Sequence, residues 1–116
     1  MLKELKHRSL EVWKLSRSMV KDVYLISMRF PESEQYCLTQ HIRRTAISII
    51  SNISEGAGRK TFNDRKRFYI IARASLTELD AQLQIALDLN YFKPDDAKEI
   101  EIKMRSIFKL LTAMLK

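Results

Sequence analysis

Turn-forming residues are almost missing from this chain. Two glycines and two prolines in 116 residues cannot supply an all-β fold, which needs turn signals roughly every 8–12 positions. The same scarcity excludes collagen-like and Pro/Gly-rich disordered chains. A lone cysteine, Cys37, excludes an internal disulfide framework and any multi-cysteine zinc site. Long apolar runs are lacking too. The longest mostly apolar stretch, Ala46 to Ile53, is broken by Ser48, Ser51 and Asn52, so no membrane span is expected. Met1 to Lys14 show no apolar run followed by a small-residue cleavage site. No secretory signal is seen there, and the expected compartment is the cytoplasm. What remains is a chain of one-domain size, residues 1–116, whose folding removes about two thirds of its surface from water. An apolar content of 46% is enough for a core without covalent staples.

Positive charge is plentiful and unevenly spread. The net charge is +7, and between Gln40 and Arg73 eight bases face two acids. Those bases are Arg43, Arg44, Arg59, Lys60, Arg65, Lys66, Arg67 and Arg73; the acids are Glu55 and Asp64. Five of the bases fall within nine residues, 59–67. A localised basic excess suits an acidic partner such as nucleic acid. It is equally the composition of a solvated face with a chance imbalance.

The apolar periodicity is helical throughout. A first helix is expected from Ser9, a suitable N-cap, to Arg29, with Val12, Trp13, Ser16, Met19, Val20, Val23, Ile26 and Ser27 on one face. Pro31 ends it. A second is expected from Ser33–Gln35 to Ala57, with Ile42, Ala46, Ile49 and Ile53 in a narrow stripe. Gly56 and Gly58 are expected to end it in the left-handed conformation. A third opens at Thr61, with Asp64 three residues on in an approximate capping box, and runs to Asn90. Phe68, Ala72, Ser75, Leu79, Leu83 and Ala86 form its inner face. Pro94, with Asp95 and Asp96, starts the fourth, which buries Ala97, Ile100, Met104, Ile107, Phe108, Leu111 and Leu115. Joints this short make successive helices antiparallel neighbours. The expected fold is all-α: an up-down-up-down antiparallel four-helix bundle.

Two features exceed the needs of a lone bundle. Opposite the apolar stripe of the second helix lie Arg44, Ser48, Ser51, Asn52, Glu55 and Arg59. Such a polar strip is either ordinary solvated surface or a ligand or subunit contact, with Asn52 and Glu55 receiving hydrogen bonds from arginines. On the third helix Ile70, Ala74, Ala81 and Ile85 make a second apolar stripe on another side. That stripe is either a wide core face or an oligomer interface.

Catalytic and metal-binding patterns are sparse. Cys37 and His41 stand four apart, yet two ligands make no metal site, and His7 is the only other imidazole. No His-Glu-x-x-His pair occurs. Gly56 to Lys60 faintly resembles a phosphate-cradling loop but lacks the preceding strand and the Gly-Lys-Ser/Thr ending. Glu55 and Glu78 have no visible nucleophile beside them. No catalytic residue, cofactor, metal or small-molecule substrate is expected. Trp13, Tyr24 and the phenylalanines sit at helical spacings that read as core.

The stretch Gln40-His41-Ile42-Arg43-Arg44-Thr45-Ala46-Ile47-Ser48-Ile49-Ile50-Ser51-Asn52-Ile53-Ser54-Glu55-Gly56-Ala57-Gly58-Arg59 resembles the signature of the bacterial four-helix-bundle proteins encoded by 23S rRNA intervening sequences. The resemblance extends back through Val12-Trp13 and Phe30-Pro31. It extends forward through Phe68 to Arg73, Ser75, Glu78-Leu79, Gln82-Leu83 and Ala86 to Leu89-Asn90-Tyr91. Ile50 stands where the family usually has proline, so the helix kink there is expected to be missing or weaker. Ser54 replaces alanine and Ala74 replaces glycine. The resemblance implies a small non-secreted bundle that assembles as a homo-oligomer, a pentamer being suggested. Accessory proteins of diversity-generating retroelements share that architecture and look like nucleic-acid binders. By this likeness Arg43, Arg44, Ser48, Asn52, Glu55 and Arg59 are the polar positions to suspect.

Three functional expectations follow. The first is a non-enzymatic oligomer that binds RNA or DNA through phosphate contacts. The second is a protein-interaction scaffold with no nucleic-acid role, its strips used on subunit contacts. The third is a nucleic-acid-processing activity at Glu55 and the nearby arginines.

Overall fold

The structure, a computed structural model, describes His7 and residues 10–116. It contains four α-helices and, among the described residues, no strand. They are α1 (Glu11–Ser27), α2 (Leu38–Ala57), α3 (Phe62–Asp88) and α4 (Lys98–Met114), with short 3₁₀ turns at Glu32–Glu34 and Pro94–Ala97. Among the described residues no helix is long and apolar enough to cross a membrane. The expected N-cap, Ser9, lies outside the described residues; Leu10 precedes α1 in extended geometry.

Several ends of these helices have an identifiable cause. After α1 the amides of Met28, Arg29 and Phe30 bond back onto the last turn, and extended Pro31 (ψ 152°) leads the chain away. The second helix starts at Leu38, later than the sequence suggests. Cys37, at φ −127° and ψ −101°, breaks the helical course just before it; nearby, Glu34 Oε1 accepts the Leu38 amide at 3.5 Å, and Oε2 accepts the Tyr91 hydroxyl at 2.7 Å. That bond raises the Tyr91 pKa above the ordinary phenol value. At α3 the expected cap is present, with Thr61 Oγ1 accepting the Asp64 amide at 3.1 Å. The helix ends in a Schellman closure. Tyr91 N bonds Ala86 O, Asn90 N bonds Leu87 O, and Asn90 holds φ at 62°.

The two glycines act differently from expectation. Neither is left-handed; Gly58 caps α2 at φ −84°, ψ −7°. Gly56 is needed for space instead. A Cβ there would stand 2.7 Å from Tyr69 Cε1 and 3.1 Å from Phe68 Cβ, so its bare backbone lets α3 cross closely. α2 is helical through Ile50 without interruption.

Buried side chains from all four helices form one cluster. Met19, Val23, Ile42, Ile49, Ile53, Leu79, Ile107 and Leu111 are fully excluded from solvent. Each such side chain contributes roughly 1.5–3 kcal/mol of burial. Most of the expected faces are buried, with Val20 only half so. On α3 Ala72, Leu79, Leu83 and Ala86 are buried as expected, whereas Phe68 and Ser75 are half-buried and their neighbours Tyr69 and Leu76 are buried instead. On α4 Phe108 is 44% exposed rather than buried, and Leu115 is half-buried.

Polar pairs fix the helices against one another. Trp13 Nε1 donates to Ser54 Oγ at 2.9 Å, and Arg43 Nε to Ser27 Oγ at 2.7 Å. Thr45 Oγ1 donates to Glu78 Oε1 at 3.3 Å. Lys103 pairs with Asp22, and Arg29 with Asp96 at 2.9 Å. Arg73 Nη1 donates to Thr112 Oγ1 at 3.2 Å.

Candidate nucleic-acid interface

Eight bases were singled out by sequence, and the fold divides them into three groups. Arg59, Lys60, Arg65, Lys66 and Arg67 crowd the joint between α2 and α3. Arg65 ties this joint together: its Nη1 donates to the carbonyls of Arg59 at 3.2 Å and Lys60 at 2.9 Å. Those carbonyls follow a helix end, where acceptors lack intrahelical donors. Beneath them Tyr69 is buried. Desolvation raises its pKa above the ordinary value, and the nearby Arg65 charge partly opposes the rise.

The second group is structural. Arg43 spans α1 and α2, bonding Ser27 Oγ and lying 4.7 Å from the Tyr24 ring centroid. Arg73 spans α3 and α4, bonding Thr112 and lying 5.8 Å from the Phe108 ring. Arg44 stands alone in the third group. It is exposed and has no ionic or hydrogen-bonding partner among the described residues.

Only one of the eight, Arg59, meets a carboxylate among the described residues, namely Glu55 Oε1 one helical turn away. Aromatic faces take the place of acids. Arg59 lies 4.8 Å and Arg67 5.4 Å from the Phe68 centroid. Lys66 Nζ lies 5.9 Å from that of Phe62. A ring quadrupole orients a cation without cancelling its charge. The cations of the joint are therefore placed against rings and carbonyls, and all but Arg59 lack a carboxylate partner among the described residues. Part of this pattern is visible in sequence, since Lys66 follows Phe62 by one turn and Arg67 adjoins Phe68. Arg43 over Tyr24 depends on packing between helices and leaves no local signal. Tyr24, Phe62 and Phe108, read from sequence as core, are exposed.

Of the polar strip of α2, Ser48 and Asn52 are half-buried and Ser48 meets α3 of the same chain, while Arg44, Ser51, Glu55 and Arg59 are exposed. Ser48 Oγ is 3.1 Å from Ser75 Oγ. Asn52 Nδ2 donates to Ser48 O at 2.8 Å and to Ser48 Oγ at 3.2 Å. Glu55 receives an arginine, as expected, but Asn52 does not. The ligand or subunit role considered for Ser48 thus competes with an intramolecular one.

On α3 Ile70 is 44% and Ile85 51% exposed, with Ala74 and Ala81 also exposed between them. They lie on the helix flank away from the core face. Cys37 is exposed. His41 Nε2 lies 3.5 Å from Glu78 Oε1, which also accepts from Thr45 and Gln82. Among the described residues no group of three or more His, Cys, Asp or Glu side chains is arranged to hold a metal.

No curated protein matches the chain. A family model described as 23S rRNA-intervening sequence protein matches residues 8–113, nearly the full length.

Proposed function

From the premise that this chain belongs to the 23S rRNA-intervening sequence protein family, we propose that it is a non-enzymatic oligomer that binds RNA or DNA through phosphate contacts. The observation that carries this reading is the charge left over at the α2–α3 joint. Lys60, Arg65, Lys66 and Arg67 have no carboxylate partner among the described residues, and Arg59 has one. Phosphate oxygens are the natural complement of such a cluster. Arg44 adds a cation on the same flank of α2, whereas Arg43 and Arg73 chiefly secure helix seams. Recognition by this set follows the backbone, because phosphate contacts position a nucleic acid without reading its sequence. The test is titration with a structured RNA at rising salt. Binding should weaken steeply, by about 0.9 in the logarithmic slope for each duplex phosphate neutralised. No binding at low salt, or affinity indifferent to salt, overturns the proposal.

We further propose an up-down-up-down antiparallel bundle that self-associates. The antiparallel course is supported by pairs whose numbers rise on one helix as they fall on the next: Trp13 with Ser54 and Ser27 with Arg43, then Thr45 with Glu78 and Ser48 with Ser75. Self-association is supported by the exposed strip Ile70, Ala74, Ala81 and Ile85. Repetition of the basic joint around a ring, for example a pentamer, multiplies weak single contacts.

That strip also favours a second reading, a homo-oligomeric scaffold for protein partners with no nucleic-acid role. Pull-down with and without nuclease separates the two. A protein partner retained after nuclease supports the scaffold, and loss of all bound material supports the first reading.

A further inference from the structure

One exposed aromatic is left unexplained by folding or by the basic joint. Tyr36, in the short segment between the 3₁₀ turn and α2, is 83% exposed. It meets no ring or cation among the described residues. It stands at the rim of a hollow of about 470 Å³ between the end of α1 and the start of α2. Tyr24, Gln40, Arg43, Arg44 and Ile47 line the same hollow. Arg44 and Arg59 are 15 residues apart on or beside one helix, a rise of roughly 22 Å. The hollow is therefore separate from the basic joint.

Its chemistry is specific in three respects. Among the described residues no acidic side chain lines it; Glu34, the nearest acid before it in the chain, is occupied by the Leu38 amide and the Tyr91 hydroxyl. Its two guanidinium groups differ in freedom. Arg43 is held by Ser27 Oγ, by the Tyr24 carbonyl at 3.4 Å and by the Tyr24 ring, while Arg44 is unpaired among the described residues. Finally, Ile47, the Tyr36 ring and two amides, Gln35 and Gln40, line the hollow with those charges, the ring and amides having no side-chain partner among the described residues. The hollow is broad and open to solvent, a surface depression rather than an enclosed pocket.

We infer that this hollow is a subsite for one unpaired nucleotide of a single-stranded nucleic acid. Tyr36 carries the base by stacking, Arg44 meets the phosphate, and Gln40 supplies a donor and an acceptor for the base edge. Arg43 is a positioning residue that keeps the wall of the hollow positive and in place. Aromatic and guanidinium planes with nearby amides are the general means of holding splayed bases. The inference rests on the nucleic-acid reading above and adds a preference for single strands over duplex.

The experiment compares binding of a short oligouridylate and a duplex RNA at one fixed salt concentration. Tyr36→Ala should lower affinity for the single strand about 5- to 150-fold, leaving duplex affinity and the salt slope unchanged. Tyr36→Phe should restore most of the loss. Photocrosslinking with a 5-iodouracil-substituted strand should label the peptide containing Tyr36. The subsite is overturned if Tyr36→Ala leaves single-strand affinity unchanged. It is equally overturned if duplex binding falls in parallel, if crosslinks map only to Phe62 or Phe68, or if the variant alters oligomeric mass instead. A Lys60→Ala/Lys66→Ala/Arg67→Ala variant separates the two layers. Loss of both ligands in it, with Tyr36→Ala silent, removes the subsite and leaves the phosphate reading intact. A wild-type protein that binds neither ligand removes both. Because Tyr36 is so exposed, helicity should be the same in every Tyr36 variant, and circular dichroism checks this.

Discussion

A methyl group at position 56 has no room. The nearest Tyr69 ring carbon would be 2.7 Å away, and Tyr69 is itself buried. Overpacking costs about 1–3 kcal/mol, against a gain of about 1 kcal/mol in helix propensity. Gly56→Ala should therefore lower stability by roughly 1 kcal/mol net, read from urea midpoints. Gly58→Ala should be neutral or slightly stabilising, since its added carbon meets nothing nearer than 3.7 Å at a negative φ. The contrast was not legible in the sequence. Both glycines follow a helical stripe and suit a left-handed end, but the demand at Gly56 comes from a side chain on the next helix. Arg43 is a similar case. Its charge is plain in the sequence, and its tie to Ser27 sixteen residues earlier exists only once α1 and α2 pack.

Helix stripes were the most legible part of the fold, because one buried face repeats every three or four residues. Ile42, Ala46, Ile49 and Ile53 are buried as read. Boundaries were less legible where long-range partners set them. α2 starts only after the non-helical Cys37, in a segment where Glu34 is tied to Tyr91, 57 residues away. The start of α3 depends on adjacent residues and was readable. Thr61→Ala removes the acceptor for the Asp64 amide and should cost about 1 kcal/mol, measurable as a lowered thermal midpoint. The turn before α4 adds a pH dependence. The Lys93 amide and the Arg29 guanidinium hold the Asp96 carboxyl below its ordinary pKa. A lowered folded-state pKa means stabilisation that is present at neutral pH. It is lost as pH falls from the unfolded value, 3.8, through the folded one. Asp96→Asn should lower the thermal midpoint at pH 7, and the difference from wild type should shrink as the solution is acidified below about pH 4. A constant difference across that range would assign the effect to something other than ionisation.

For the whole molecule, the surface is decided by what the fold leaves unpaired. The basic joint was legible as a run of like charges. The rings that keep those charges unneutralised were only partly so, and Tyr24, Phe62 and Phe108 were read as interior. The flank of α3 makes its own prediction. Replacing Ile70 and Ile85 together by aspartate should lower the mass seen in light scattering while helicity is unchanged, since neither belongs to the buried cluster. A native protein that is already monomeric would exclude the interface. The distance along α2 between Arg44 and the basic joint has a final consequence. If both proposed sites bind nucleic acid, a fragment too short to bridge that gap has to choose one end of the helix, while a longer strand would occupy both and gain from being tethered. Tightness of binding should therefore rise in a step with strand length, making the helix a molecular ruler whose graduation is its own rise of roughly 22 Å.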